Sequence, residues 1–119
     1  MKTERKKAPK PKAIRAEDIA SVAEKAAKLS YGVISLAPRT TLADVAKELI
    51  AHEEPFAEGI YLTHHKDGDE IDVYLRVAYG VKIPEVLAQT QKRIAYELER
   101  AFGVGFKAIN VYAVSVKEA

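Results

Sequence analysis

The chain contains no cysteine, and this absence removes several kinds of chemistry. Without thiols there is no disulfide framework, no thiolate zinc site and no cysteine nucleophile. No apolar run approaches the roughly 18–20 residues that a transmembrane helix needs, and the N-terminus lacks the apolar segment of a signal peptide. We therefore expect a reducing, cytoplasmic setting.

What is present fits one small domain. The chain has 119 residues, of which 48% are hydrophobic and 30% are charged. A chain of this length buries about 65% of its unfolded surface when it folds, which is enough for a single core. Composition alone does not indicate what the protein does.

The net charge of +2 hides an asymmetry along the chain. Residues 1–15 carry +6 and the other 104 residues carry −4. The first segment has one acid, Glu4, and seven bases: Lys2, Arg5, Lys6, Lys7, Lys10, Lys12 and Arg15. With two prolines and almost no apolar residue, it is predicted to be a disordered tail before a single domain at residues 16–119. The tail is either a solubilising segment or a binding site for anionic lipid or nucleic acid phosphate.

Apolar spacing predicts three helices. The first begins at Ala16 and ends near Gly32, the second covers about residues 41–52, and the third covers about residues 83–102. Pro84 suits the first turn of the third helix, because its missing N–H has no partner there. Gly103 is expected to end it.

Period-two alternation predicts strands at Glu58–His65 and Glu70–Ala78. The intervening Asp67-Gly68 favours a tight turn, so the two strands form a β-hairpin. Phe106–Val116 is the last strand. It is apolar on both sides, so we expect structure on both of its faces.

The predicted order is α-α-β-β-α-β, which places the protein in the α+β class. We expect a small three-stranded mixed sheet with a right-handed β-α-β crossover and helices packed on the sheet. Residues 36–38, which include Pro38, are interpreted as a connector.

No residue pattern favours catalysis, a cofactor or a metal. His64 and His65 are adjacent on a strand and point to opposite faces, so they do not converge on one ion with His52. No serine lies in a nucleophile-elbow motif. Gly103-Val104-Gly105 follows a helix, the reverse of a dinucleotide-binding loop. An enzyme is therefore the least supported class, and no catalytic, cofactor-binding or metal-binding residue is predicted.

One aromatic pattern is more informative. Tyr61, Tyr74 and Tyr112 lie on the sides of their strands opposite the aliphatic stripe of the hairpin, and Arg76 lies among them. If the strands are adjacent, these residues form one face that suits a protein partner or stacked bases. The alternative is that one of the first two helices packs over this face.

Two stretches resemble the alkaline shock protein family, which comprises bacterial envelope stress response proteins. The first is residues 71–86, with Tyr-Gly-Val-Lys-Ile-Pro-Glu-Val at residues 79–86 as its core, and a helix that contains Gln91 follows it. The second is the Ile-Asn-Val-Tyr sequence at residues 109–112. The stretch from Ile14 to Ala27 is similar to the family's opening helix, so the resemblance covers most of residues 14–116. Residues 30–57 match loosely, and the basic tail is not part of the shared pattern. The resemblance implies a non-enzymatic cytoplasmic protein without cofactors, held at the inner face of the membrane by a partner in some members.

The leading hypothesis is therefore an interaction or scaffold module that binds protein partners, with a membrane-associated protein and a second copy of the chain as the candidates. The alternative is a small nucleic-acid-binding module that uses the basic tail. The net charge of −4 on the rest of the chain and the lack of a Gly-x-x-Gly clamp argue against this alternative.

Overall fold

The computed structural model describes residues 15–38 and 58–118. In chain order they form helix α1 (Ala16–Lys28), strands β1 (Val33–Leu36), β2 (Ile60–His65) and β3 (Gly68–Ala78), helix α2 (Ile83–Phe102) and strand β4 (Ala108–Lys117). The second predicted helix, at residues 41–52, lies outside the described residues, as does the predicted tail apart from Arg15.

The sheet is mixed and has β3 at its centre. On one edge, β3 pairs in parallel with β4 from Glu70 to Ala78. On its other edge, β2 pairs antiparallel with the first part of β3 and β1 pairs antiparallel with its last part. The predicted hairpin and the predicted last strand are confirmed, within an α+β fold. The structure adds a fourth strand, β1, whose last residue belongs to the stretch interpreted above as a connector.

The helices begin close to the predicted positions, for identifiable reasons. In α2, Pro84 occupies the first turn, and Gly103 ends the helix in a left-handed conformation (φ 71°). The N–H of Gly103 donates to the carbonyl of Glu99, which satisfies one of the last free carbonyls. Helix α1 begins at Ala16 as predicted but ends at Lys28, before Gly32.

Both helices pack on the same face of the sheet. This face presents the alternate residues of β3, Ile71, Val73, Leu75 and Val77, which are fully buried. Helix α1 contributes mainly alanines to the core, and α2 contributes one residue per turn. These helix residues are Ile19, Ala20, Ala23, Ala26 and Ala27 from α1, and Val86, Thr90, Ile94 and Leu98 from α2. The opposite face of the sheet, which bears the tyrosines, is therefore not the face on which α1 and α2 pack.

Gly59 occupies a crowded corner where the end of β1, the start of β2 and the middle of β3 meet. The N–H of Ala37 donates to the carbonyl of Tyr74, and the N–H of Tyr74 donates to the carbonyl of Gly59, both at 2.9 Å. Gly59 has φ +81°, and a Cβ there would lie 2.7 Å from the Ala37 oxygen and 2.9 Å from the Tyr74 oxygen. Only glycine fits this corner without moving the backbone.

Gly59→Ala is expected to destabilise the fold by about 3 kcal/mol, because backbone strain adds to a clash with two carbonyl oxygens. Gly80→Ala is the matched control, since Gly80 also has positive φ (+90°) but a Cβ at that position would have no neighbouring atom within 4 Å. The control should lower the free energy of unfolding by about 1 kcal/mol, because only the backbone strain applies there. Urea denaturation measures both variants, and equal losses would contradict the steric argument.

Thr90 is the polar side chain of the α2 core stripe. It is fully buried, and its Oγ1 has no hydrogen-bond partner among the described residues. A buried hydroxyl without a partner retains the cost of removing it from water.

Thr90→Val should therefore raise the free energy of unfolding by about 1 kcal/mol, because valine keeps the shape and removes the hydroxyl. Thr90→Ser keeps the hydroxyl and loses a buried methyl, so it should lower stability by about 1 kcal/mol. Urea denaturation measures the free energy of unfolding of both variants. A destabilised valine variant would mean that the hydroxyl is bonded.

Candidate functional site

The three tyrosines singled out in the sequence lie together on the face of the sheet opposite α1 and α2. Tyr74 of β3 pairs directly with Tyr112 of β4 in the parallel register. Their rings are stacked, with centroids 5.0 Å apart and planes 27° from parallel. Tyr61 of β2 meets Tyr74 edge to face at 5.6 Å and 90°. The three rings therefore share one face of the sheet, as side-chain alternation predicts, and they form a continuous series of ring contacts across three strands, which is called the tyrosine stack.

Exposure changes along this stack. Tyr61 is buried, with 4% of its surface exposed, Tyr74 is half-buried, and Tyr112 is 42% exposed. The stack therefore runs from the interior to the surface and ends on β4. Tyr112 is therefore the most exposed member of the stack.

Arg76 lies on the same face of β3 as Tyr74, as the sequence suggested, and its guanidinium contacts β1. Its Nη1 donates to the carbonyl oxygen of Leu36 at 2.6 Å and to Oγ of Ser35 at 3.2 Å. The guanidinium therefore ties β1 to β3, and the side chain is half-buried. No sequence pattern indicated this contact, because β1 was not predicted.

The same face carries a polar network that sequence reasoning missed. Nδ2 of Asn110 donates to Oε2 of Glu70 at 2.7 Å and to Oδ1 of Asp72 at 2.8 Å. Oε1 of Glu70 also lies 2.8 Å from Nε2 of His65. In the sequence, the signal for this network was Asn110, a polar residue within the apolar strand β4. The structure places Asn110 in register with Asp72.

These contacts set the electrostatics of Glu70. Hydrogen bonds first from His65 and then from Asn110 lower the pKa of Glu70 below its ordinary value of 4.5, and the partial burial of the carboxylate opposes them. Such a carboxylate stays ionised at neutral pH and serves as a hydrogen-bond acceptor. A general acid at neutral pH needs a raised pKa.

Side-chain contacts also hold the turn of the hairpin. Nζ of Lys107 bonds both carboxylate oxygens of Asp67, at 3.0 and 3.1 Å, and Nδ1 of His64 lies 2.7 Å from Oδ1 of Asp69. The hydrogen bond from Lys107 is the main cause that lowers the pKa of Asp67. His64 and His65 thus contact different carboxylates.

The other predicted or considered sites give less information. Within residues 15–38 and 58–118, no group of three or more histidine, cysteine, aspartate or glutamate side chains is placed to hold a metal, and His52 lies outside these ranges.

Of the basic tail residues only Arg15 is described. Its guanidinium pairs with Asp18 at 3.4 Å, and this contact raises the pKa of Arg15. No helix among the described residues has the length and hydropathy to cross a membrane.

The lowered pKa of Glu70 predicts a pH dependence of stability. Since its folded pKa lies below the ordinary 4.5, Glu70 stabilises the fold above about pH 4.5, and this contribution is lost as the pH falls through the folded pKa. Glu70→Gln should therefore show a smaller loss of stability on acidification than the parent chain. Thermal unfolding between neutral pH and about pH 3 measures the difference. Glu118→Gln, outside the network, is the control and should follow the parent. Identical curves for Glu70→Gln and the parent would refute the assignment.

Comparison with known proteins agrees with the resemblance seen in the sequence. The model of the alkaline shock protein family, described as having a cell envelope-related function, matches residues 5–118. The match begins inside the segment predicted to be a tail.

Curated relatives include two uncharacterized proteins that match over most of their length. One is YloU of Bacillus subtilis, which is 31% identical over 101 residues that cover 85% of this chain and 83% of the relative. The other is Spy1614 of Streptococcus pyogenes, which is 32% identical over 99 residues that cover 83% and 81%. YqhY of Bacillus subtilis is 33% identical over 60 residues, which cover 50% and 44%. No solved structure gives a significant match. Because the family model spans nearly the whole chain, the chain belongs to the alkaline shock protein family, whose function is related to the cell envelope.

Proposed function

We propose that this protein is a non-enzymatic interaction module of the envelope stress response, and that Tyr112 is a contact point for a protein partner. The observation that carries this proposal is that Tyr112 is 42% exposed and is at the same time stacked on Tyr74 at 5.0 Å. The relation to the envelope is supported by the family to which the chain belongs.

An exposed aromatic ring that is already fixed is well suited to binding. Tyrosine offers a large apolar area with a polar end, and it is enriched among the residues that dominate interface energies. A side chain ordered before binding loses little conformational entropy when the partner arrives. The buried ring of Tyr61 positions Tyr74, and Tyr74 positions Tyr112. Tyr31, Tyr79 and Tyr96 are more exposed, at 79%, 72% and 64%, but make no ring contact with another described residue.

The position of Tyr112 in the sheet favours a protein as the partner. Among the described strands, β4 pairs only with β3, so its outer edge faces away from the sheet. Val116, near the end of the same strand, is 47% exposed and lies on the face opposite Tyr112, because the register of β4 shifts between the two residues. A partner that approaches the edge of β4 therefore meets an aromatic ring, an aliphatic side chain and backbone groups, the combination used in strand-addition interfaces.

Two further parts of the hypothesis belong to this proposal. The module acts in the cytoplasm at the inner face of the membrane, through a partner that is anchored there, or else through association with a second copy of the chain. The nucleic-acid alternative depends on the basic tail, which lies almost entirely outside the described residues, so it stays a prediction.

The test is site-specific photo-cross-linking of the full-length chain in its native cells. A benzophenone amino acid at position 112 should give one discrete protein adduct, identified by mass spectrometry as an envelope-associated protein or as a second copy of the chain. The same probe at Lys66, in the exposed hairpin turn, is the control and should not give this adduct.

A substitution adds an energetic measurement to the cross-link. Tyr112→Ala should weaken binding of the identified partner by at least about tenfold, since truncating an interface hot spot costs about 2 kcal/mol or more. Its thermal midpoint shows whether the fold is retained. Indistinguishable adducts at positions 112 and 66, or no adduct at position 112, would exclude this contact.

A further inference from the structure

The helical layer has a second surface, separate from the tyrosine face. Helices α1 and α2 pack against each other on the sheet. An open groove of about 430 Å³ lies between their outer sides. The groove lies on the opposite side of the sheet from Tyr112. It therefore goes beyond the proposed function, and either proposal can fail without the other.

Part of the lining of this groove is apolar, and this part is called the floor. It is formed by Val22, Ala26, Leu29 and Ala101. Alanines leave space where larger residues would fill the gap between the helices. Leu29, the residue after α1, is 70% exposed. A leucine beside an unfilled apolar groove gains burial when another apolar side chain enters it.

The other residues that line the groove are charged and mostly cationic, and they are called the walls. Lys25 of α1 and Arg93 of α2 line it, and neither forms an ion pair with any residue in the described ranges. Arg100 lines it too and pairs through Nε with Glu97, at 3.4 Å, with 70% of the arginine side chain exposed. Three cations against one carboxylate stand in local contrast to residues 16–119, in which acidic side chains outnumber basic ones.

We propose that this groove binds an amphipathic helix of a partner protein, with an apolar stripe that fills the floor and acidic residues that face Lys25 and Arg93. A groove between two helices matches a third helix, which docks through side chains spaced three and four positions apart. Glutamates or aspartates beside that stripe complement the cationic walls. The chain's own first 15 residues, at +6, have the wrong charge to occupy it.

The test uses the full-length protein and two synthetic helical peptides as probes. Both peptides carry the same leucine stripe, and glutamates flank it in one while lysines flank it in the other. Fluorescence anisotropy at low ionic strength should show binding of the glutamate peptide and at least tenfold weaker binding of the lysine peptide.

Variants then locate the site. Lys25→Glu combined with Arg93→Glu should reduce affinity for the glutamate peptide at least tenfold, and Leu29→Ser should reduce it severalfold. The matched control is Lys66→Glu with Lys117→Glu, which changes the net charge equally at exposed positions outside the groove, and it should change affinity less than twofold. Thermal midpoints check that each variant is folded. A second control changes Lys2, Lys6, Lys7, Lys10 and Lys12 to glutamine and should retain binding.

Three results would overturn the proposal. One is failure of the glutamate peptide to bind. Another is an equal loss of affinity in the groove variant and in either control, which would mean that binding follows overall charge or the tail. The third is sedimentation with phosphatidylcholine–phosphatidylglycerol vesicles that depends on Lys25 and Arg93 more strongly than binding of the glutamate peptide does, which would make the groove a lipid-contact surface.

Discussion

The alternation of side chains along β3 is the constraint on which the rest of this structure depends. Both edges of β3 are hydrogen-bonded, one to β4 and the other to β1 and β2 in succession. Its odd-numbered residues from Ile71 to Val77 are fully buried under α1 and α2, so its even-numbered residues must lie on the other face. The tyrosine stack, the Asn110 network and the Arg76 contact all use that second face.

This division separates two kinds of surface. Apolar packing of α1 and α2 covers the helical face of the sheet. The outer sides of these two helices carry the cationic groove. The tyrosine face is polar and aromatic, and hydrogen bonds among Glu70, Asn110 and Asp72 fix many of its groups. Because the helical groove and Tyr112 lie on opposite sides of the sheet, one partner contacting a single side of the molecule does not cover both.

Local patterns in the sequence predicted most of the regular elements. The hairpin follows from strict alternation around Asp67-Gly68, and α2 follows from a long apolar stripe between Pro84 and Gly103, so these elements have strong local causes. Strand β1 does not. It has four residues, too few for alternation to be diagnostic, and its pairing with β3 is a tertiary contact. The tyrosine face was predictable from side-chain alternation, but the exposure of each ring was not, because exposure depends on neighbours distant in sequence.

The most informative residue that the sequence did not explain is Arg76. Both strands beside it carry an extra residue at this level of the sheet: Ile34 in β1, and Val114 in β4. A bulge disrupts the ladder locally and increases the twist of the strand. The contacts of Arg76 with the Leu36 carbonyl and with Ser35 hold β1 next to the irregular stretch. The bulge in β4 also places Val116 beside Val77, although strict alternation would put Val116 on the side of Tyr112. The bulge therefore accounts for part of the pattern of apolar residues on both sides of β4. This pattern alone does not identify a bulge, because a bulge is recognised only from the register between β3 and β4.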